Sequence, residues 1–383
     1  MSIAVRNPEN RLYVHLGAIA HNLTSLRSLL PRGVRVAGVV KADAYGHGMI
    51  PVARLLKEQG AEALAVAFLQ EGVALRQAEL PGTILVMVGP DPDQASLAVE
   101  HGLTPFVDSA ESLKALSAAA KAGGGRAQCI IKVDTGMGRL GVWPRDALEF
   151  LRMAASLPGL EVTGLASHLA TSGVPHSAYA DKQAEIFAQL VAAARGEGFP
   201  LPDSCLAASG GVLVPPKAAL GAPSLVRLGV ALYGALPDDE SVGRADLKGA
   251  MSFKTRLHSV RRVPAGTKVS YGCTWEAPTD IFLGSLPVGY SDGYLRSASN
   301  RAEVLVGGRR APVRGRVCMN IIMIELAGFD SLPRPGDEVV LLGRQGDEEI
   351  TLDELAGWAG TIGYEISCSL GAANQAVVEP ASA

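Results

Sequence analysis

"VRVAGVVKADAYGHG", residues 34–48, sets a run suited to burial against a lysine and a glycine-bearing turn. The run from Val34 to Val40 is rich in valine and almost wholly apolar. A short apolar run of this kind reads as a strand covered on both faces. It stops at Lys41, and Tyr45, Gly46, His47 and Gly48 follow at once. The position of an amine at the end of a buried strand is what the rest of the chain has to explain.

The same unit recurs seven more times. The runs are ALAVAF (63–68), TILVMV (83–88), LTPFVD (103–108), QCIIKVD (128–134), VTGLASH (162–168), CLAAS (205–209) and LVRLGVAL (225–232). Between them lie stretches such as IPVARLLKEQG, LQEGVALRQAE, SAESLKALSAAAKAG, RDALEFLRMAASL and DKQAEIFAQLVAAARGEG. Each follows the 3.6-residue period of a helix with one buried face. Buried strands alternating with helices make a parallel sheet covered on its outer side. Eight such units in about 200 residues fit a closed (β/α)8 barrel of the TIM type. An open doubly wound sheet is the competing fold. No G-x-G-x-x-G follows the first strand, which weakens its dinucleotide-binding version.

Past residue 245 the pattern changes. KTRLHSVRRV, TKVSYGCTWEA, DIFLGSLPVGY, AEVLVGGRRAPVRGRV, NIIMIEL and DEVVLLG are strand-like, with Gly and Pro turns between them, including a Gly-Gly turn at 307–308. One late helix is expected, LDELAGWAG (352–360). The expectation is therefore α/β: a barrel over 11–244 and a mostly β domain over 245–383 together with 1–10. GRADLKG (243–249) is the expected linker.

Composition narrows the function classes. The chain has 383 residues, 48% hydrophobic and 19% charged, with a net charge of −3. No basic stripe points to nucleic acid. No apolar run reaches the ~20 residues that span a bilayer, and the N-terminus lacks a signal-peptide pattern. Five scattered cysteines without a C-x-x-C pair suggest neither a disulfide framework nor a metal site. A soluble cytoplasmic protein is expected.

Barrels of this kind carry functional groups at the C-terminal ends of their strands. There the sequence places Lys41, then Lys132, Asp134 and Arg139, then His168, then Ser209-Gly210-Gly211, then Arg227 just ahead of Gly229 and Val230. Ser209 and the N–H groups of Gly229 and Val230 suit a phosphate. A desolvated lysine is a nucleophile. Lysine and phosphate site together suggest pyridoxal phosphate held as a Schiff base.

"VVKADAYGHG" resembles the cofactor-binding signature of the pyridoxal phosphate-dependent alanine racemases. "KVDTGMGRLG", "VRLGVALYG", "VSYGCTW", "VGYSDGY", "GRVCMN" and "GTIGYEISC" resemble further motifs of that family, in family order, over about residues 11 to 370. The resemblance implies the barrel, the C-terminal β domain and a homodimer whose site is completed by the partner chain. It implies that Lys41 carries the cofactor and acts as one base. Tyr271 of the partner subunit is the other, so that L- and D-alanine interconvert through an external aldimine. Two bases on opposite faces are what racemisation in both directions requires. A tyrosine with a pKa of about 10 needs help to act as a base, which the resemblance assigns to His168 and Arg227. Arg227 is further implied to face the pyridine nitrogen. Tyr45, Ser209, Gly229, Val230 and Tyr364 are implied phosphate contacts, and Arg139 and the backbone of Met319 are implied contacts of the substrate carboxylate. Lys132 matches a lysine carbamylated in some members. Tyr290, Arg296 and Arg316 resemble entrance residues.

Some positions depart from the family pattern. Asn320 stands where Asp is usual, Ala208 precedes the phosphate serine where Asn is common, and the tail CSLGAANQAVVEP lacks the usual arginines. These leave open a racemase for serine or a broader set of amino acids. A pyridoxal phosphate-binding protein without activity is a further alternative, against which the second domain and Tyr271 speak.

Overall fold

The computed structural model describes residues 7–172, 174, 177–216, 224–238, 241–329 and 331–381. Residues 1–6 of the stretch grouped with the second domain, and its last two residues, lie outside them. Strand β1 (Arg11–His15) leads into the helix Leu16–Ser28. Eight strands then follow in a closed parallel barrel: β2 (Arg35–Val39), β3 (Ala63–Val66), β4 (Thr83–Val86), β5 (Thr104–Val107), β6 (Ala127–Lys132), β7 (Leu160–Ala166), β8 (Cys205–Ala208) and β9 (Leu225–Leu228). The barrel closes where Arg35–Gly38 pair with Leu225–Leu228. Six strands fall within their apolar runs, while β6 begins one residue and β7 two residues before theirs. The runs are continuous rather than alternating because both faces are covered: every residue of β3, β5 and β9 is buried.

The covering helices bury one stripe each. In Ala110–Ala122 the buried residues are Leu113, Leu116, Ser117 and Ala120, three to four apart. Its start is fixed by Ser109, whose hydroxyl accepts the Ser112 N–H. Ser177 caps Ala178–Gly196 in the same way through the Ala180 N–H. Such caps contribute about 1 kcal/mol each.

The C-terminal domain has its own core, around Leu12, Phe253, Val304 and Leu341. Its largest sheet joins both ends of the chain. Strand β10 (Met251–Arg256) pairs antiparallel with β1 and with Glu338–Gln345. On its other edge β1 pairs in parallel with Ala376–Glu379. The Gly-Gly turn is observed: Gly307 and Gly308 have φ of 56° and 75° and join the hairpin strands Glu303–Val306 and Arg309–Pro312. A two-residue hairpin of this hand requires positive φ at both positions.

Two expectations are corrected. TKVSYGCTWEA is not one strand. Only Lys268–Val269 and Trp275–Glu276 pair, and Tyr271–Cys273 form a turn between them. Three of its residues have positive φ: Ser270, Gly272 and Cys273, which no strand admits. Second, a helix, Gly363–Ala373, follows the expected Leu352–Ala359. Its sequence, GYEISCSLGAA, is mostly small and polar, so it lacks a broad apolar stripe. It packs by close backbone approach instead: a Cβ on Gly371 would lie 2.3 Å from the Gly46 carbonyl oxygen. Among the described residues no helix is long and apolar enough to cross a membrane.

Candidate active site

Lys41 opens a turn of unusual hand. Ala42, Asp43, Ala44 and Tyr45 have φ of 52° to 55°, so four consecutive non-glycine residues are left-handed. Each such residue costs about 1–2 kcal/mol, and strain of this size persists only where the surroundings over-determine it. Here they do. The Ala44 N–H reaches the Val40 carbonyl at 2.9 Å and the Gly48 N–H reaches Asp43 at 2.9 Å. Asp43 Oδ1 accepts the Met49 N–H at 2.7 Å. His47 Nδ1 lies 3.0 Å from the carbonyls of both Ala44 and Tyr45. Below, the Tyr233 hydroxyl donates to the Val39 carbonyl at 2.8 Å.

The turn forms one wall of a cavity of about 460 Å³ at the C-terminal ends of the barrel strands. Lys41, Lys132, Arg139 and Arg227 line it, and among the described residues no Asp or Glu does. Crowding of cations and removal from water both penalise further positive charge. Burial, then Arg139, lowers the Lys41 pKa, partly opposed by Glu71. Burial, then Arg227, lowers Lys132 to about 7. Burial, followed by Arg227 and Lys132, lowers His168 to about 2 and keeps it neutral.

Arg227 is buried and central. Its Nη2 donates to the carbonyls of Ser167 at 2.8 Å and Leu206 at 3.3 Å. It also lies 3.1 Å from His168 Nδ1. A guanidinium has only donors, so Nδ1 accepts and the imidazole proton sits on Nε2. Arg227 Nη1 is buried without a partner among the described residues. Arg139 is carried by a loop wound around Asp134. One Asp134 oxygen accepts the N–H groups of Gly136, Met137 and Gly138, and the other that of Arg139. Burial raises the Asp134 pKa, but those four bonds outweigh it and leave it lowered.

The expected phosphate contacts also converge. Ser209 Oγ accepts the Gly229 N–H at 3.0 Å and the Ala231 N–H at 3.4 Å. A Cβ on Gly229 would lie 2.6 Å from the Tyr45 hydroxyl, so that hydroxyl rests on the Gly229 backbone. The Tyr364 ring lies 5.9 Å from that of Tyr45, and Val230 completes this wall. A cationic cavity whose described lining holds no acid, a lysine held at its rim and an Arg227 Nη1 without a partner among the described residues fit pyridoxal phosphate. The phosphate and ring nitrogen of that group are acceptors, and its carbonyl takes an amine.

Other predicted residues lie elsewhere. Tyr271 is 72% exposed and does not line the cavity, nor does Met319. They belong to a second cluster on the C-terminal domain. Ser270 Oγ donates to the Arg316 carbonyl at 2.6 Å, and the Tyr290 N–H reaches Cys318 at 3.1 Å. Asn320 Nδ2 donates to Ser291 Oγ at 2.7 Å, which donates to the Met319 carbonyl at 2.8 Å. Arg296 is exposed and Arg316 half-buried. Three supporting residues were not singled out from the sequence: Glu71, His47 and Gln183, whose Nε2 donates to the His168 carbonyl at 3.0 Å. Only the place of Glu71, in the first turn of a helix, offered a signal. A larger cavity, about 850 Å³, lies between residues 246–249 and the large sheet and holds none of the predicted site residues.

Barrel, rim lysine and cationic cavity together suit a phosphorylated ligand placed beside an amine. Residues 14–237 match the family model "Alanine racemase, N-terminal domain", and 250–378 match "Alanine racemase, C-terminal domain". The alanine racemase of Halothermothrix orenii is 39% identical over 357 residues, 93% of each chain. The solved alanine racemase of D-cycloserine-producing Streptomyces lavendulae is 33% identical, with a TM-score of 0.90 over 98% of both chains. That of Bartonella henselae, solved with covalently bound pyridoxal phosphate, is 25% identical, with a TM-score of 0.86 over 97% of this chain and 100% of its own. The chain belongs to the alanine racemase family. The expected barrel, the β domain and the racemase class of isomerase are thereby borne out.

Proposed function

We propose that this chain interconverts L-alanine and D-alanine with pyridoxal phosphate, as a cytoplasmic homodimer in which Tyr271 of the partner subunit completes each site. The observation that carries the reading is the cavity itself. Lys41, its proton affinity lowered by burial, shares a space without acids among its described lining with Arg227, whose buried Nη1 lacks a partner among the described residues. When bound, pyridoxal phosphate supplies an electron sink that acidifies the α-proton of an amino acid. Ser209, Tyr45, Tyr364 and the backbone of Gly229 and Val230 would hold its phosphate. Arg227 would face its ring nitrogen. A permanent cation there disfavours protonation of that nitrogen, weakens the sink and favours racemisation over transamination.

Lys41 then takes or returns the α-proton on one face. Tyr271 does so on the other, with His168, fixed as the Nε2–H tautomer by Arg227, and Arg227 itself favouring the phenolate. Arg139 and the backbone of the partner subunit's Met319, which lies in the same cluster as Tyr271, would hold the substrate carboxylate. Lys132 next to Arg139 is a candidate for carbamylation, which would replace a cation by an anion that orients the guanidinium. Tyr364 limits the substrate side chain and favours alanine over serine. The homodimer reading is supported by exposed apolar side chains around Tyr271: Tyr290, Met319 and Ile321. All five cysteines are free, as a reducing compartment favours.

The test uses the protein with pyridoxal phosphate and L-alanine in deuterium oxide. Deuterium should enter Cα as optical rotation falls. Binding of the cofactor with neither change would leave a non-catalytic carrier, and faster turnover of L-serine would displace alanine as substrate. Tyr271→Phe and Lys41→Ala should each be inactive, and mixing them should restore part of the activity. No recovery in exchanged dimers refutes the shared site.

A further inference from the structure

Glu71 lies in the first turn of the helix Leu69–Gln77, one βα unit beyond Lys41. Its Oε1 accepts the Ala42 N–H at 2.7 Å. Its Oε2 accepts the N–H groups of Ala67 at 2.8 Å and Phe68 at 2.9 Å. Ala67 and Phe68 form the turn after β3. The Ala42 N–H belongs to the peptide that follows Lys41, where the chain enters its left-handed segment. One carboxylate thus joins two neighbouring strand-end turns.

We propose that Glu71 is the positioning residue for Lys41: it ties the Lys41–Ala42 peptide to the turn after β3 and thereby fixes where the amine points. The inference rests on Lys41 being the reacting amine of the proposed function. Three N–H bonds to one ionised carboxylate are charge-assisted and stronger than neutral ones. One is made by the first peptide of a conformation that the residues themselves disfavour, and the other two anchor the carboxylate on the turn after β3. Glu71 does not line the cavity, so its effect on chemistry runs through Lys41. Its charge acts on the amine as well. Burial, Arg139 and Arg227 weaken proton binding at Lys41, whereas Glu71 and Cys368 strengthen it. The Tyr45 ring, 5.8 Å from Nζ, is uncharged.

Two readouts on the cofactor-free protein test this: competitive acylation of Lys41 against pH, read by mass spectrometry, and amide exchange in peptides covering Ala42. Glu71→Gln removes the charge and one acceptor. The Lys41 titration midpoint should fall, and exchange at Ala42 should quicken by about ten- to a hundredfold, the loss typical of a hydrogen bond to a charged group. Glu71→Asp keeps the charge and shortens the reach. It should speed exchange while leaving the midpoint near that of the parent, and it serves if the Gln variant fails to fold. In the loaded enzyme kcat should fall with KM for alanine little changed. Unaltered midpoint and exchange in Glu71→Gln, or parental exchange in Glu71→Asp, overturns the proposal. A parent protein that does not racemise alanine refutes the function instead and leaves the labelling result standing.

Discussion

Replacing Gly46 with alanine tests whether the Lys41 turn is held by contact or by local hydrogen bonds. Gly46 has φ +81°, and an added Cβ would lie 2.3 Å from the Ser367 carbonyl oxygen, 3.1 Å from its carbon and 3.2 Å from Gly371 Cα. All three are backbone atoms of the helix Gly363–Ala373, so no side-chain rotation relieves the clash. A non-glycine residue at this φ costs about 1–2 kcal/mol, and overpacking adds about 1–3 kcal/mol. Gly48→Ala separates the two terms. Its φ is +88°, but among the described residues its Cβ would meet only the Pro51 ring, Cγ at 3.3 Å and Cδ at 3.8 Å. The expected loss is therefore about 2–5 kcal/mol for Gly46→Ala and about 1–2 kcal/mol for Gly48→Ala. Relief of the clash moves the helix that carries Tyr364, so cofactor affinity should fall with stability in the first variant only. Urea midpoints and a pyridoxal phosphate titration of both variants measure this. Equal destabilisation would show that φ alone matters and would refute the packing argument.

The pH dependence of stability should carry the mark of His47. Burial lowers its pKa to about 4 from 6.5. The unfolded chain therefore takes up a proton below pH 6.5 that the folded chain refuses until about 4. Stability from this group is complete above pH 6.5 and declines between 6.5 and 4, by up to about 3 kcal/mol. His47→Leu should flatten that part of the profile of urea midpoint against pH, and an unchanged slope would contradict the assignment. Lys132, lowered to about 7, should be largely neutral at pH 8 and able to add carbon dioxide. A carbamate carbon should appear by NMR in 13C-bicarbonate and vanish in Lys132→Arg; a spectrum without it sets the modification aside.

The barrel was legible because burial on both faces writes itself into a strand as an unbroken apolar run. ALAV at 63–66 and TPFV at 104–107 are wholly buried, and both were read directly. The strand-end residues were legible for the same reason, since a polar residue closing such a run has only the rim to occupy. The left-handed turn was not. ADAY contains no glycine or asparagine, and what surrounds its left-handed segment includes a helix more than three hundred residues later in the chain, on which Gly46 packs. That helix was itself hidden, because Gly371 and Ser367 pack by smallness rather than by hydrophobicity. Nor does periodicity reveal that Tyr271 sits on a turn: the strand-like letters around it are broken by backbone angles at Ser270 and Cys273.

Charge explains why so basic a cavity is compatible with the acidic residues nearby. The carboxylates that the site lysines sense are Glu71 for Lys41 and Asp134 for Lys132. Neither forms an ion pair with a cavity cation. Asp134 receives four backbone N–H groups and Glu71 receives three. Both acids are thus engaged in shaping the loops that carry Arg139 and Lys41, with their charge directed at peptide dipoles. The amines are left with burial and one another as their dominant surroundings, which lowers their proton affinity. The same arrangement leaves the cavity a net positive field for a phosphate and a carboxylate. Swapping either acid for its amide should therefore disturb a loop before it disturbs a charge balance, a distinction that the exchange and titration readouts for Glu71 resolve directly.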